Sequence, residues 1–479
     1  MTCLADIGRT ELVRGYGSAL QDGAAALFLG AGMSRASGQV DWRELMKEIA
    51  SDLQLDINLE SDLVAVAQYS FNKYQSRDRL NQRLITEFSK DARPTENHQL
   101  ISSLPIRKIW TTNYDKLIER AMEAAHKRLD VKSTAENLAT TVPGRDAILY
   151  KMHGDISQPH DAVVTKEDYE TYSQTHEAFT IALQSDLLQK TFLILGFSFT
   201  DPNIDYILSR IRGLLGQNQR THYCVMRRPS KPGNASDQAR FEYEARKLEL
   251  RVGDLKRYSI QTVLIDRHEE ITDILRELKR RAFLRDIFVS GSAHDYSPMG
   301  KHRIDSLARA LGREIVRRRY NLVSGLGLGI GATVVIGALE EKYSRDASQG
   351  EIRYFPFPQE APAGLSLAQA HFRFREEMLA NVGFSIFICG NRLAQSSNEI
   401  EVGKGVLEEF DLIVKLGRYP IPVGASGHAA KQIWEMVMTK PSAYYGTDVT
   451  SELGVLGDVG RGNDEYIAAI FNIISKLSR

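Results

Sequence analysis

The chain has 479 residues, enough for two or three domains, each with its own core. Its 61 basic and 61 acidic side chains leave no net charge, which excludes a general electrostatic pull toward nucleic acid or an anionic membrane. Three scattered cysteines, Cys3, Cys224 and Cys389, exclude a disulfide framework or a zinc site, so the expectation is a cytoplasmic protein without a bound metal. Along the chain, Met1 to Leu20 comes first. It carries Asp6, Arg9, Glu11 and Arg14 and lacks the apolar core of a signal peptide. No later apolar run approaches a membrane span, even at Phe192 to Phe197 or Phe384 to Cys389, so a soluble chain is expected.

Strand-like apolar runs alternate with amphipathic stretches, the pattern of an α/β fold with mostly parallel sheets. A first series of strands is predicted at Ala25 to Leu29, Lys108 to Thr111, Ile148 to Met152, Thr191 to Leu195, His222 to Met226 and Ser259 to Ile265. Between Trp42 and Ser89 a polar stretch of helical period predicts a helical insertion over one side of a pocket. Arg227 to Ala235 reads as a surface loop, and Glu269 to Phe283 as a charged helix that closes the first domain, placed at 1–284.

Three motifs sit at predicted strand ends. Gly30-Ala-Gly-Met-Ser34 follows the first strand, and its glycines let backbone approach a pyrophosphate, with amides of the following segment as donors. Thr111-Thr-Asn113-Tyr-Asp115 and Lys151-Met-His153-Gly154 follow the next two. Asn113 offers a paired donor and acceptor for a water or a ribose hydroxyl. His153 is suited to general-base work at neutral pH. Asp115 either holds its own loop through backbone amides or binds ribose. His98, His160 and His176 read as surface or packing residues, and Tyr16, Tyr69, Tyr74, Tyr169 and Tyr172 as core and pocket wall.

Taken in order, these motifs resemble the sirtuin family over residues 20 to 270, in the branch found in bacterial defence proteins. Gly30-Ala-Gly-Met-Ser34 is similar to G-A-G-x-S, and Ser37-Gly38-Gln-Val-Asp41-Trp42-Arg43 to S-G-I-P-D-F-R. Thr111-Thr-Asn113-Tyr-Asp115 is similar to T-Q-N-x-D, with Thr112 in place of the glutamine, and His153-Gly154 to the catalytic H-G. Gly196-Phe-Ser198, followed by Asp201, resembles the later strand end on the adenosine side. The resemblance implies a Rossmann-like fold and NAD+ as substrate rather than prosthetic group. It places NAD+ contacts at Gly30, Ala31, Gly32, Ser34, Asp41, Arg43, Thr112, Asp115, Gly196 and Ser198, with Asn113 and His153 as catalytic residues. Deacylases of the family carry a four-cysteine zinc ribbon, and after His153 this chain has only Cys224 and Cys389. Water is then the attacking species, and the reaction expected is hydrolysis of NAD+ to ADP-ribose and nicotinamide; a deacylase, or a non-catalytic nucleotide sensor, is the alternative.

A second α/β series begins at 285. Strands are predicted at Asp286 to Ser292, Asn321 to Ser324, Glu351 to Phe355, Phe384 to Cys389 and Tyr419 to Val423, with a helix at Lys301 to Arg319. Val289-Ser290-Gly291-Ser292, the run Gly325-Leu-Gly327-Leu-Gly329-Ile-Gly331 and Ile388-Cys-Gly-Asn391 end three of them. Glycine-rich ends of adjacent parallel strands form a phosphate-accepting crevice. Residues 285–479 resemble the SLOG superfamily, a second Rossmann-like fold. The glutamate motif of its enzymes is eroded over Cys389 to Glu399, which marks a binder. Ser290, Gly291, Gly325, Gly327 and Gly329 are expected to line its site. Arg373, Arg375 and Arg392 are expected to face phosphates, and Glu408 or Glu409 ribose hydroxyls. A sirtuin-like domain followed by a SLOG domain resembles the NAD-depleting effectors of Thoeris anti-phage systems. That resemblance implies a TIR-domain partner that makes a cyclic ADP-ribose isomer, allosteric activation through the SLOG domain, and a homo-oligomer, either tetramer or filament.

Overall fold

A computed structural model of the chain describes residues 6–478 other than 200, 217, 232–236, 345–349, 363 and 395–398. Cys3, the end of the predicted 227–235 loop and the middle of the Cys389 to Glu399 stretch lie outside the described residues. The chain forms two compact units, Met1–Ala282 and Phe283–Arg479. Both are α/β, as the alternation of apolar runs and amphipathic stretches predicts.

The first unit is built on seven strands: β1 (Ala25–Leu29), β2 (Lys108–Thr111), β3 (Leu129–Lys132), β4 (Ala147–Lys151), β5 (Thr191–Leu195), β6 (His222–Arg227) and β7 (Ile260–Ile265). They stand in the order β3-β4-β2-β1-β5-β6-β7 with every pair parallel. Helices on both faces bury β1, β4 and β5 completely, which is why these strands read as apolar runs rather than alternations. Leu29 is level with Thr111 on one side and Leu195 on the other, so β1, β2 and β5 end together. From β1 the chain moves to one side for β2, β3 and β4, then crosses to the other at β5. The ligand crevice of such a sheet opens beyond the carboxyl ends of the strands at that reversal.

Strand β3 was not predicted, and its composition explains why. Its buried positions are Asp130 and Lys132, paired at 2.8 Å, with Arg145 also 2.5 Å from Asp130. A strand whose inner face is an ion pair carries no apolar signature. The stretch after Trp42 does form helices, Trp42–Asp52, Leu63–Tyr74 and Asp78–Phe88. Their inner residues Leu45, Ile49, Val66 and Leu84 share a core with Tyr114 from the loop after β2, which fixes the insertion beside that loop.

The second unit contains β8 (Asp286–Ser290), β9 (Asn321–Ser324), β10 (Ile352–Tyr354), β11 (Phe384–Phe387), β12 (Asn391–Leu393), β13 (Ile400–Val402) and β14 (Tyr419–Pro422). Five form a parallel sheet in the order β10-β9-β8-β11-β14, with its reversal between β8 and β11. Strands β12 and β13 form an unpredicted antiparallel hairpin, in which Arg392 pairs with Glu401 at 2.8 Å. Among the described residues no helix is long and apolar enough to cross a membrane.

Candidate active site

The loops after β1 and β5 are pressed together, and their glycines are what allow it. A Cβ on Gly30 would collide with Gly196 O, and one on Gly32 would lie 2.9 Å from Gly196 Cα. Gly196 itself has φ +66°, a conformation that favours glycine. The amides of Gly30 and Gly32 donate to Leu195 O and Gly196 O, both at 2.9 Å, and those of Met33 and Ser34 to Gly30 O and Ala31 O. These bonds lie within the two loops themselves. Four of the amides are already used, and the small residues serve loop-on-loop packing that shapes the floor of the crevice.

Asn113 is positioned by a short relay. Its Nδ2 donates to Gly30 O at 3.2 Å and to Ser34 Oγ at 3.0 Å, while Ser34 Oγ donates to Asp115 Oδ2 at 2.7 Å. Asp115 Oδ1 accepts from Leu117 N at 3.0 Å, so of the two sequence readings the loop-holding one describes its contacts. With both amide protons committed, Asn113 turns Oδ1 the other way, buried and without a partner. An unpaired buried acceptor is costly and serves best where a ligand donor completes it.

The His153 segment is tied to the Asn113 segment by Lys151, at the end of β4. Only 1% exposed, its ammonium donates to the carbonyls of Tyr114 and Asp115 at 3.1 and 2.5 Å. Asp155 Oδ2 at 2.6 Å and Glu119 Oε1 at 3.0 Å surround the same ammonium, so four acceptors share its three protons. Burial lowers its pKa, but the two carboxylates outweigh that and raise it, so the group stays charged. Asp155 is also met by Lys116 at 2.6 Å; burial raises its pKa, yet Lys151 and Lys116 bring it down to about 2. His153 is 1% exposed, with Tyr169 and Tyr172 edge-on to its ring at 5.4 and 6.2 Å. Its Nε2 lies 3.1 Å from Asp201 Oδ2, a close polar contact short of full hydrogen-bond geometry.

These groups face one cavity of about 820 Å³. Ala31, Gly32, Ser34, Asp41, Arg43, Thr112, Asn113, Asp115, His153, Gly196 and Ser198 all line it, while Gly30 lies beneath. Two of the predicted contacts are already occupied. Asp41 caps the helix Trp42–Asp52 through Glu44 N at 3.0 Å and pairs with Arg35 at 3.1 Å. Arg43 donates to the carbonyls of Ile57 and Glu60. Trp42, Tyr169 and Asp201 line it too, together with Asp62, Arg227 and His268, which the sequence did not single out. Of the remaining histidines, His160 is exposed, His98 is buried and bonded to Thr95, and His176 stacks on Tyr172 at 4.6 Å. Tyr69 is half exposed rather than a core or wall residue, because the outward face of its helix meets solvent.

In the second unit a cavity of about 300 Å³ lies over the ends of β8 and β9. Ser290, Gly291, Gly325, Gly327, Arg375, Arg392 and Glu409 line it, with Phe357, His371, Lys404 and Gly405, which the sequence did not single out. Gly329, Arg373 and Glu408 do not. In the helix Leu367–Leu379, Arg373 and Arg375 are two positions apart and so point to opposite sides; Arg373 borders a separate hollow with Glu408. Gly329 faces Tyr296 instead. Glu409 accepts from Ser290 Oγ at 2.5 Å and lies 3.5 Å from Arg375 Nε, while burial raises its pKa. Arg375 also pairs with Glu408 at 2.7 Å and sits 5.0 Å from the Phe357 ring centre.

A parallel sheet with an asparagine and a histidine at neighbouring strand ends, followed by a second nucleotide-type unit, is the make-up of a sirtuin-like domain joined to a SLOG domain. Residues 107–252 match the SIR2-like domain, and residues 270–477 match the Sir2- and TIR-associating SLOG family. The chain is 40% identical over 460 residues to the NAD(+) hydrolase ThsA of Bacillus cereus (strain MSX-D12), covering 95% of each chain. It is 40% identical over 478 residues to that of Cytobacillus dafuensis (97% of this chain, 96% of the relative). The match to that of Enterococcus faecium is 39% over 482 residues (96% and 98%). The chain belongs to the ThsA NAD(+) hydrolase family.

Proposed function

We propose that the first unit hydrolyses NAD+ to ADP-ribose and nicotinamide. The observation that carries this reading is the buried, unpartnered Oδ1 of Asn113 in the cavity that also holds His153. When the bond between ribose C1′ and the pyridinium nitrogen breaks, its electron pair leaves with nicotinamide, now neutral, and positive charge develops on the ribose. A water oxygen bonds to C1′ and gives up a proton. Asn113 Oδ1 accepts from that water or from a ribose hydroxyl, and His153 takes the proton and passes it to solvent. The balance is NAD+ plus water to ADP-ribose, nicotinamide and a proton. A neutral amide holds polar atoms near the cation without a fixed charge that would trap it.

The second unit acts as the receptor for a cyclic ADP-ribose-type messenger supplied by a TIR-domain partner. Arg375, Arg392 and Lys404 meet its phosphates, above a floor in which Gly327 packs against Gly291 at the ends of β8 and β9. Binding shifts a resting, inactive homo-oligomer, a tetramer or filament, toward the active state, and the result in an infected cell is NAD+ depletion.

Purified full-length protein incubated with NAD+ and a panel of ADP-ribose derivatives, with products identified by mass spectrometry, tests both halves. Nicotinamide release stimulated by a cyclic derivative and lost in Asn113→Ala and His153→Ala is the expected result. Near-normal turnover in both variants refutes the site assignment. Release that requires an acylated peptide identifies a deacylase, and NAD+ binding without turnover under every ligand identifies a sensor. Equal rates with and without ligand remove the regulatory half.

A further inference from the structure

Asp201 enters the sequence only as a residue trailing Gly196-Phe-Ser198, yet its carboxylate is inside the site. The side chain is 8% exposed, and its two oxygens have separate contacts. Oδ1 accepts from Asn203 N at 2.9 Å and Ile204 N at 3.4 Å, capping the helix Pro202–Leu215. Oδ2 lies 3.1 Å from His153 Nε2. Among the described residues it is the one carboxylate within ion-pair reach of that ring. Other titratable groups around the imidazole are turned elsewhere or neutral. Tyr172 donates to Met152 O at 2.9 Å, Tyr114 to Val163 O at 2.7 Å, and Asp168 is taken by Arg77 at 2.8 Å. Tyr169 stands edge-on, its phenol kept neutral by burial, and His176 is stacked beyond Tyr172. Burial raises the pKa of Asp201, but His153 and the two capping amides outweigh it, so the carboxylate stays ionised.

We propose that Asp201 is a positioning residue for His153: its Oδ2 draws the imidazole proton to Nε2, leaving Nδ1 as the nitrogen that accepts the proton from water. Both ring nitrogens are buried without a directed hydrogen bond, but Nε2 has the carboxylate at 3.1 Å and Nδ1 has no charged neighbour in reach among the described residues, which leaves Nδ1 as the nitrogen open to a ligand. Asp201 then steadies the imidazolium as the water proton arrives, in the manner of the carboxylate behind a catalytic histidine in hydrolytic triads. The inference rests on the NAD+-hydrolysis reading and adds a third residue to it.

The test exploits the separation of the two oxygens. Asparagine caps helices as well as aspartate does, so Asp201→Asn keeps the helix start while removing the charge. Nicotinamide release by full-length protein, with the activating ligand where one is needed, is measured from pH about 5 to about 9, the range over which histidine changes charge. In Asp201→Asn, kcat is expected to fall by about 100-fold or more with KM and Tm nearly unchanged. The acid limb of the profile is expected to move to lower pH, because the imidazolium has lost its counter-charge. Asp201→Glu, which retains the charge, is expected to recover part of the rate. An Asp201→Asn profile that superimposes on wild type, a loss that only follows a lowered Tm, or an Asp201→Glu no better than Asp201→Asn overturns the role of Asp201. Wild-type protein that releases no nicotinamide with any ligand sinks the hydrolysis reading as well, so the two failures are told apart.

Discussion

Replacing Lys151 by methionine perturbs the joint between the Asn113 and His153 segments without touching either of those side chains. The methionine fills most of the volume but removes the buried cation from Asp155 and Glu119, and leaves the Asp115 carbonyl without its Lys151 donor and Tyr114 O with the Ile156 amide alone. Removing one partner from a buried ion pair costs about 3–5 kcal/mol, because the remaining charge stays desolvated. Lys116, still 2.6 Å from Asp155, places the expectation toward the lower end. For a unit of this size about 3 kcal/mol corresponds to a fall in Tm of roughly 6 °C or more, measured by calorimetry on the full chain. Lys151→Met/Asp155→Asn is expected to be less destabilised than the sum of the two single variants, since the second change removes the stranded charge. At a temperature where Lys151→Met is folded, its kcat for nicotinamide release should fall, because the Asn113 loop has lost its tie to β4. A Tm within about 2 °C of wild type, or strict additivity in the double variant, would refute the account of Lys151 as the clamp.

Two further expectations concern stability and the crevice floor. His222 is 3% exposed and accepts from Phe192 N at 3.2 Å; burial, aided by Arg220, lowers its pKa to about 4. Above pH about 6.5 the group is neutral whether the chain is folded or not. As pH falls from there to about 4, the unfolded chain binds a proton that the folded unit refuses, so stability drops by up to about 3 kcal/mol. His222→Asn should therefore lose less stability than wild type between pH about 7 and about 5, and identical slopes in urea titrations would contradict this. Gly30→Ala forces a Cβ into Gly196 O and, at 2.7 Å, Phe197 Cα, with backbone on the receiving side. It should cost about 1–3 kcal/mol and weaken NAD+ binding by displacing the loop after β5. Gly213→Ala, in a helix and facing open space, should be neutral or stabilising by up to about 1 kcal/mol; equal Tm values for the two alanine variants would show that the loop contact carries no strain.

What the sequence made legible follows from where information is local. Strands β1 and β5 were readable because a parallel strand buried on both faces is an apolar run in any context. Strand β3 was not, since Asp130 and Lys132 are buried only by virtue of each other and of Arg145. Asn113 and His153 were singled out because their motifs stand in order with the others along the chain; an amide or an imidazole at a strand end would carry little weight alone. The relay through Ser34 and Asp115, and the contact of Asp201 with His153, join residues remote in sequence and exist only in the folded sheet. The separation of Arg373 from the cavity that Arg375 lines is of another kind. Ser366 and Gln369 form a capping box that fixes the start of the helix, and the helical period then separates Arg373 from Arg375 without any tertiary knowledge.

The two crevices also differ in a way that bears on their division of labour. Both open at a reversal in strand order, and both are floored by glycines whose missing side chains let neighbouring loops touch: Gly30 against Gly196 in one, Gly327 against Gly291 in the other. In the first, the groups left for a ligand are an unpaired amide oxygen and an imidazole backed by a carboxylate, a set able to move a proton. In the second, the cations Arg375 and Arg392 are held against Glu408, Glu409 and Glu401, so an incoming phosphate has to exchange with carboxylates already in place. Such exchange gains little net affinity per contact, and the pairs it would break join the helix Leu367–Leu379 to Glu408 and Glu409, and β12 to β13. A site built to change shape on binding suits a receptor, whereas the preset donors and acceptors of the first crevice suit a reaction.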